Sequence, residues 1–285
     1  MPELPEVEHV VRSLRRAVVG RQIVAAEIHL SKLVSPTSTA VFNRKLRGSR
    51  IAGVGRRGKY ILIELQTEIA PSRKSEQVLI VHLRMTGKFV VLTPDHSLPR
   101  HAHAVFYLDD ERRLVFRDQR QFGIMRLVAK SRVAGTKGIS ELAPEPFSSD
   151  FSLDYLKEIL SRSRRSLKTL LLDQTRVLGL GNIYASEALF RAGINPFRIA
   201  SELSSKRVER LHQAIRDVLR AAVSGNSSRR IDLEDPNGFS YGEAFGKVWQ
   251  VYDREGQPCF KCGTRIRRIT HGGRSTYWCP KCQKR

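Results

Sequence analysis

The chain has 285 residues, 41% hydrophobic and 27% charged, enough to bury the core of one large or two medium domains. Fifty Lys and Arg against 28 Asp and Glu leave a formal charge of +22, which selects a polyanionic partner, because neutralising phosphates releases condensed counterions. A ribosomal scaffold or an acidic membrane surface would take the same sign, but no apolar run approaches the ~20 residues of a membrane span.

The chain opens MPELPEVE. A small second residue favours trimming of the initiator Met, leaving Pro2 with a secondary amine that titrates near ~8 and is partly nucleophilic at working pH. Attack by such an amine on an aldehyde-like carbon gives a permanently cationic iminium, and Glu3 and Glu6 are adjacent carboxylates for general acid–base work. Many ordinary chains begin Met-Pro, so Pro2 alone decides nothing. The start is acidic and amphipathic, unlike a signal peptide, so a cytosolic protein is expected.

Residues 5–19 are predicted helical: Pro5 suits the first position, Val7, Val10, Val11, Leu14 and Val18 form one stripe, and Gly20 can end it. Short β-rich runs follow at 60–65, 78–84, 88–92, 103–108, 113–117 and 124–129. Residues 66–77 read as a polar surface loop and Asp109-Asp110-Glu111 as a hairpin connection. This spacing predicts a β-sandwich. Arg56-Arg57-Gly58-Lys59 precedes the first run; as a bare charge run it is a solvated face, and near nucleic acid a phosphate contact. Met85 in HLRMTG, with Arg120 and Phe122 in DQRQFG, could wedge into a duplex and fill the space of an extruded base, although composition alone assigns Met85 and Phe122 to the core.

Residues 131–150 break the strand pattern and read as a linker. Beyond them the period turns helical: Leu153 to Leu160, Leu167 to Leu172, 183–192 closed by Gly193, and 202–223. Gly179-Leu-Gly181-Asn182 precedes the third helix, with Asn182 placed to cap it. With Arg162, Arg164, Arg165 and Lys168 upstream, this resembles a helix–two-turn–helix that straddles a phosphate backbone. Cys259-x-x-Cys262 and Cys279-x-x-Cys282 have the spacing of a closed tetrahedral zinc site, so one structural Zn2+ is expected. The residues after Glu255 include no acid, and Lys261, Arg265, Arg267, Arg268, Arg274 and Lys281 make this tail a phosphate-gripping element. The fold class is therefore α+β in two domains. An N-terminal β-sandwich with its helix (1–130) leads through the linker to a helix–two-turn–helix domain (151–250) with a C-terminal four-cysteine zinc finger (251–285).

MPELPEVE, RRGKY, HLRMTG, DQRQFG, LLLDQ, GLGNIYASE with FRAGI, and the terminal GGRSTYWCPKC occur in order. Together they closely resemble the formamidopyrimidine-DNA glycosylase family of bacterial base-excision enzymes, from residue 2 to 285. The resemblance implies a monomeric bacterial cytosolic enzyme that binds damaged or abasic double-stranded DNA and removes oxidised purines. Pro2 would be the nucleophile and Glu3 the proton donor that opens the sugar ring. Lys59 would serve β-elimination and Arg274 δ-elimination, while Glu6 matches an active-site carboxylate. His101, Arg165 and Asn182 would contact DNA, with Met85, Arg120 and Phe122 filling the gap and reading the orphaned cytosine.

Three departures stand out. Gln121 replaces a basic residue, Ala143 replaces a glycine in the linker, and 225–247 is longer than the family's loop over the flipped base, which bears on lesion preference. An endonuclease VIII-like enzyme for oxidised pyrimidines, a non-catalytic damage binder and a ribosomal zinc-ribbon protein are the alternatives. The PELPEVE start, HLRMTG and LLLDQ favour the purine branch.

Overall fold

The computed structural model describes residues 2–70, 73–224, 231–235 and 249–284. Two compact units emerge, one of residues up to 140 together with 231–235, the other of 141–224 with 249–284.

The first unit starts with α1 (Leu4–Val18). Its N-cap is Glu3, in a reciprocal capping box with Glu6, and Pro5 lies in its first turn. The predicted stripe of Val7, Val10, Val11, Leu14 and Val18 is buried. Three elements follow that were not predicted: β1 (Gln22–Ile28), α2 (Thr39–Leu46) and β2 (Ser49–Arg57). β1 buries only Ile23, and β2 carries two glycines and a bulge between Ile51 and Gly53, so neither shows a clean two-residue period.

β3 (Tyr60–Ala70) and β4 (Arg73–His82) correct the loop expected at 66–77: Gln66 pairs with Glu76, Thr67 with Ser75 and Glu68 with Lys74. Its described residues are hairpin strands, and polar composition hides them because the ladder is made by backbone bonds. β5 (Lys88–Leu92), β6 (Ala102–Leu108), β7 (Arg113–Arg117) and β8 (Ile124–Ala129) fall where the sequence placed them.

The eight strands form one antiparallel sheet in the order β5-β7-β6-β1-β2-β3-β4-β8. Its far ends fold toward each other. Gly123, just before β8, lies so close to Phe116 of β7 that a Cβ would sit 2.7 Å from the ring, and a Cβ at Gly87 would sit 2.5 Å from the Leu83 carbonyl oxygen. One core, sharing Val10, Ile63, Val81, Phe89, Phe106, Phe116 and Met125, fills the resulting sandwich. The terminal glycines of HLRMTG and DQRQFG are thus steric requirements. Gly123→Ala is expected to destabilise the protein by about 1–3 kcal/mol through overpacking. Urea unfolding checks this, and an unchanged midpoint would contradict the close approach.

Residues 231–235 belong to the same unit. Ile231 and Leu233 are buried in its core, Ser13 Oγ donates to the Ile231 carbonyl at 2.7 Å, and Val91 N–H donates to the Leu233 carbonyl at 2.6 Å. The rest of the stretch 225–247, expected from sequence to depart from the family's loop, lies outside the described residues.

In the second unit, α3 (Leu153–Ser161) and α4 (Leu167–Leu171) are capped by Ser152 and Ser166, whose hydroxyls accept from the third residue on. α5 (Asn182–Ala192) ends at Gly193 with φ 67°, and α6 (Ser205–Ser224) packs its Val208, Leu211, Ile215 and Leu219 face into the helical core. The N-cap of α5 is Gly181, not Asn182 as expected; Asn182 is the first helical residue and its side chain is used elsewhere. The chain closes with a ribbon of β9 (Arg267–His271) and β10 (Arg274–Trp278) around Gly272 and Gly273. Among the described residues no helix is long and apolar enough to cross a membrane.

Candidate active site

In the first unit the site is built at the start of α1. Pro2, Glu3 and Glu6 are buried. Glu3 N–H donates to Glu6 Oε2 at 2.7 Å while the Glu3 carboxylate accepts from Glu6 N–H, so each acid fixes the other at the start of the helix that Pro2 leads into. Glu8 then ties the helix to β2, accepting from Arg56 Nε at 2.7 Å. Burial pushes the Glu8 carboxyl up, but the charge and hydrogen bond of Arg56, helped by Arg12, hold it below its ordinary value.

Arg56 leads into the β2–β3 turn, where Gly58 (φ 55°) and Lys59 lie between the paired Arg57 and Tyr60. Lys59 is buried, not part of a solvated charge run. Its neighbour His82 was not singled out from sequence, being one histidine at the end of an apolar strand. Burial, then the charges of Arg84 and Lys59, push the His82 imidazole down to about 3 from 6.5. Its Nδ1 accepts the Arg84 N–H at 3.0 Å, and its ring meets Tyr60 edge-on at 4.6 Å. A neutral imidazole beside Lys59 adds no competing positive charge.

Below pH 6.5 the unfolded chain protonates this histidine while the folded one stays neutral to about 3, so stability is lost as pH is lowered through that window, by up to about 1.4 kcal/mol per unit. His82→Gln is expected to remove that slope; urea unfolding at two pH values inside the window measures it, and equal pH dependence in both proteins would contradict it.

Met85, Arg120 and Phe122 sit on two loops brought together by one buried acid, Asp118. Its carboxylate accepts from Thr86 Oγ1 and, at 2.7 Å, from Gly123 N–H, and Thr86 Oγ1 in turn accepts from Arg120 N–H at 3.0 Å. Thr86 follows Met85 and Gly123 follows Phe122, so Asp118, the first residue of DQRQFG, clamps both tips. Met85 and Phe122 are 40% and 50% exposed, so the core assignment from composition does not hold. Arg120 lies 5.0 Å over the Phe122 ring. Arg84, His101 and Gln121 all have positive φ, which concentrates backbone strain at these loops. The His101 carbonyl accepts from Asp118 N–H at 3.0 Å, so it joins the same cluster.

In the second unit the turn before α5 is folded by Gln174 of LLLDQ, which donates to the Leu180 carbonyl at 2.8 Å and accepts from Gly179 N–H at 3.0 Å. That one side chain joins the LLLDQ and GLGN motifs. Lys168 is fully buried, donating to Ser186 Oγ and the Asn182 carbonyl, and so is a structural cation rather than a phosphate contact. Arg165 pairs with Asp173 at 2.8 Å and remains half exposed. Asn182 Nδ2 donates to the Ser275 carbonyl at 2.9 Å, joining α5 to the ribbon. Arg274 is exposed where β10 leaves the glycine turn.

Cys259, Cys262, Cys279 and Cys282 bring their sulfurs within 4.8 Å of one another, with Cys259–Cys282 at 3.9 Å and Cys262–Cys279 at 3.5 Å. A zinc tetrahedron with Zn–S near 2.3 Å has edges of about 3.8 Å, so the four thiols fit one zinc ion and leave no position open for substrate.

Three family models cover most of the chain: the formamidopyrimidine-DNA glycosylase N-terminal domain matches residues 1–125, the H2TH domain of the same enzyme 142–232, and the zinc finger found in FPG and IleRS 256–285. The chain is 43% identical over 284 residues to the formamidopyrimidine-DNA glycosylase of Pelotomaculum thermopropionicum, spanning 100% of this chain and 99% of that one.

The chain belongs to the formamidopyrimidine-DNA glycosylase family.

Its relative from Bacillus subtilis is 40% identical, with 99% of both chains covered. Among solved structures, Lactococcus lactis Fpg in complex with abasic-site DNA superposes with a TM-score of 0.86 at 32% identity, over 99% of this chain and 100% of that one. MutM in complex with DNA containing carbocyclic 8-oxo-G superposes at 0.87 and 34% identity, over the full length of both.

Proposed function

We propose that the chain is a bifunctional DNA glycosylase and abasic-site lyase that excises oxidised purines, 8-oxoguanine and formamidopyrimidines, from duplex DNA in the bacterial cytoplasm. The observation that carries this reading is the α1 start, where Pro2 adjoins two buried, mutually fixed carboxylates in a chain that matches the family end to end.

Once Met1 is removed, the Pro2 nitrogen attacks C1′ of the damaged nucleotide and the base leaves with its bonding pair and a proton. Glu3 protonates the ring oxygen, opening the sugar to an iminium on Pro2. Loss of the C2′ proton expels the 3′-phosphate, and a second elimination expels the 5′-phosphate, leaving a one-nucleotide gap. Lys59, cationic beside a neutral His82, serves the first elimination, and Arg274 stabilises the phosphate lost in the second. His101, Asn182 and Arg165 hold backbone phosphates, and Met85, Arg120 and Phe122 occupy the space of the flipped nucleotide. Zinc, held by the four cysteines, shapes the finger and takes part in no bond change. The 231–235 anchorage lies in the stretch where the chain departs from its family, so lesion ranking is the property most open to change.

Borohydride trapping tests the reading, on a duplex with 8-oxoguanine opposite cytosine and on an abasic-site duplex. A covalent adduct on both, mapped to Pro2, is expected. Trapping on the abasic duplex alone would keep the lyase and move the base specificity elsewhere. No adduct on either, despite tight binding, would leave a damage-binding protein.

A further inference from the structure

We infer that His271 is a positioning residue that holds the Arg274 turn in register for the second elimination; the inference rests on the role proposed for Arg274. An isolated two-stranded ribbon is marginally stable in water, and β9 is exposed along nearly its whole length, so the ribbon's burial comes from Thr276, Tyr277 and Trp278 on β10. The glycine turn projects beyond that packed end. Gly272 and Gly273, at φ 58° and 72°, make the tight turn that sets His271 opposite Arg274.

Each strand of the ribbon is hydrogen-bonded to the helical part of the unit. Asn182 Nδ2 holds the Ser275 carbonyl, next to Arg274 on β10. On β9, His271 Nε2 lies 2.7 Å from Ser166 Oγ. Ser166 is a rigid anchor: it caps α4 through Thr169 N–H, and its backbone is bridged to Ile199. Phe197 packs edge-on against both the His271 ring (5.2 Å) and the Trp278 ring (4.8 Å), so the imidazole is held from a second side. Thr169 also lies under the turn, 3.1 Å from where a Cβ on Gly272 would fall. His271 therefore joins the strand opposite Arg274 to the α3–α4 turn that carries Arg164 and Arg165. The first elimination uses groups of the other unit, so loosening this tether should change the balance of products rather than the rate of base removal.

The test uses the full-length, zinc-loaded protein on an abasic-site duplex, comparing wild type with His271→Leu, His271→Gln and Arg274→Ala. His271→Leu is expected to lower the ratio of δ- to β-elimination product by about threefold to tenfold, the effect of losing one hydrogen bond, with trapping rate and zinc content unchanged. Hydrogen exchange across 267–278 should quicken in the same variant. His271→Gln, whose amide can bond Ser166, should restore most of both. An unchanged product ratio and unchanged exchange in His271→Leu would overturn the tether. So would a fall in both products that glutamine does not rescue, which would make His271 merely structural. If Arg274→Ala keeps δ-elimination, the role of Arg274 falls, while the exchange measurement still decides whether His271 holds the turn.

Discussion

Replacing Pro2 with glycine is expected to lower excision of 8-oxoguanine by on the order of a hundredfold while leaving affinity for abasic-site duplex close to wild type. Glycine keeps an α-amine, but a primary one, whose imine must be protonated before it can act as the electron sink that proline's iminium is by construction. Glycine also loses the ring that fixes the nitrogen against the Glu3–Glu6 box. Glu3→Gln separates chemistry from structure further. Glu3 is 2% exposed and caps α1 by accepting from Glu6 N–H; glutamine retains that acceptor oxygen and removes the proton to be donated. Its rate of iminium formation, read by borohydride trapping, should fall by roughly 10²–10⁴, the range for a positioned general acid, with the urea midpoint little changed. Single-turnover excision, adduct trapping and urea unfolding of the two variants give the answer together. Wild-type turnover in Pro2→Gly would sink the nucleophile assignment. A collapsed midpoint in Glu3→Gln would show a capping role in place of an acid.

What the sequence revealed follows burial closely. β5, β7 and β8 match their predicted spans because most or all of β5 and β7 is apolar and buried, and β8 is an apolar run centred on buried Met125. The α1 stripe was equally plain. β1 and the outer arm of the β3–β4 hairpin were hidden, since backbone ladders pair them while β1 buries only Ile23 and residues 66–77 are polar in composition. Asn182 has the residue type of a cap, yet Gly181 takes that position and leaves the asparagine amide for Ser275. Lys168 looked like one more phosphate-facing cation; only the packing of α4 on α5 shows it satisfied inside the protein. At the site the motifs were legible, while the tasks divided within them were not. Asp118, His82 and Gln174 stand inside DQRQFG, HLRMTG and LLLDQ, yet the hydrogen bonds by which Asp118, Gln174 and Ser166 hold other segments are pairings that a single sequence does not record.

Replacing Cys279 and Cys282 with serine is expected to release zinc and take the DNA grip of the finger with it. About thirty-five residues cannot bury enough surface to fold alone, and binding of a structural zinc supplies roughly 10–16 kcal/mol in comparable modules. Here Cys259 and Cys279 lie in a small cluster with Phe190, Val251, Ile266 and Tyr277, so the metal site and the core are the same few side chains. Gln283 carries the consequence to the segment just after α5: it accepts from Cys279 N–H at 2.9 Å, donates to the Ile194 carbonyl at 2.9 Å, and its own carbonyl accepts from Asn195 Nδ2 at 3.0 Å. Without metal the thiols that crowd to 3.5 Å have nothing to hold them together, the β9–β10 ribbon loses its base, and Arg274 loses its position. Zinc content should fall from one per chain to none. Affinity for abasic-site duplex should weaken, with the slope of log K against log salt reduced by about one for each phosphate that the finger no longer neutralises. Full affinity and an unchanged salt slope in the metal-free variant would mean that phosphates are gripped elsewhere, and the basic charge of the tail would then be only a solvated face.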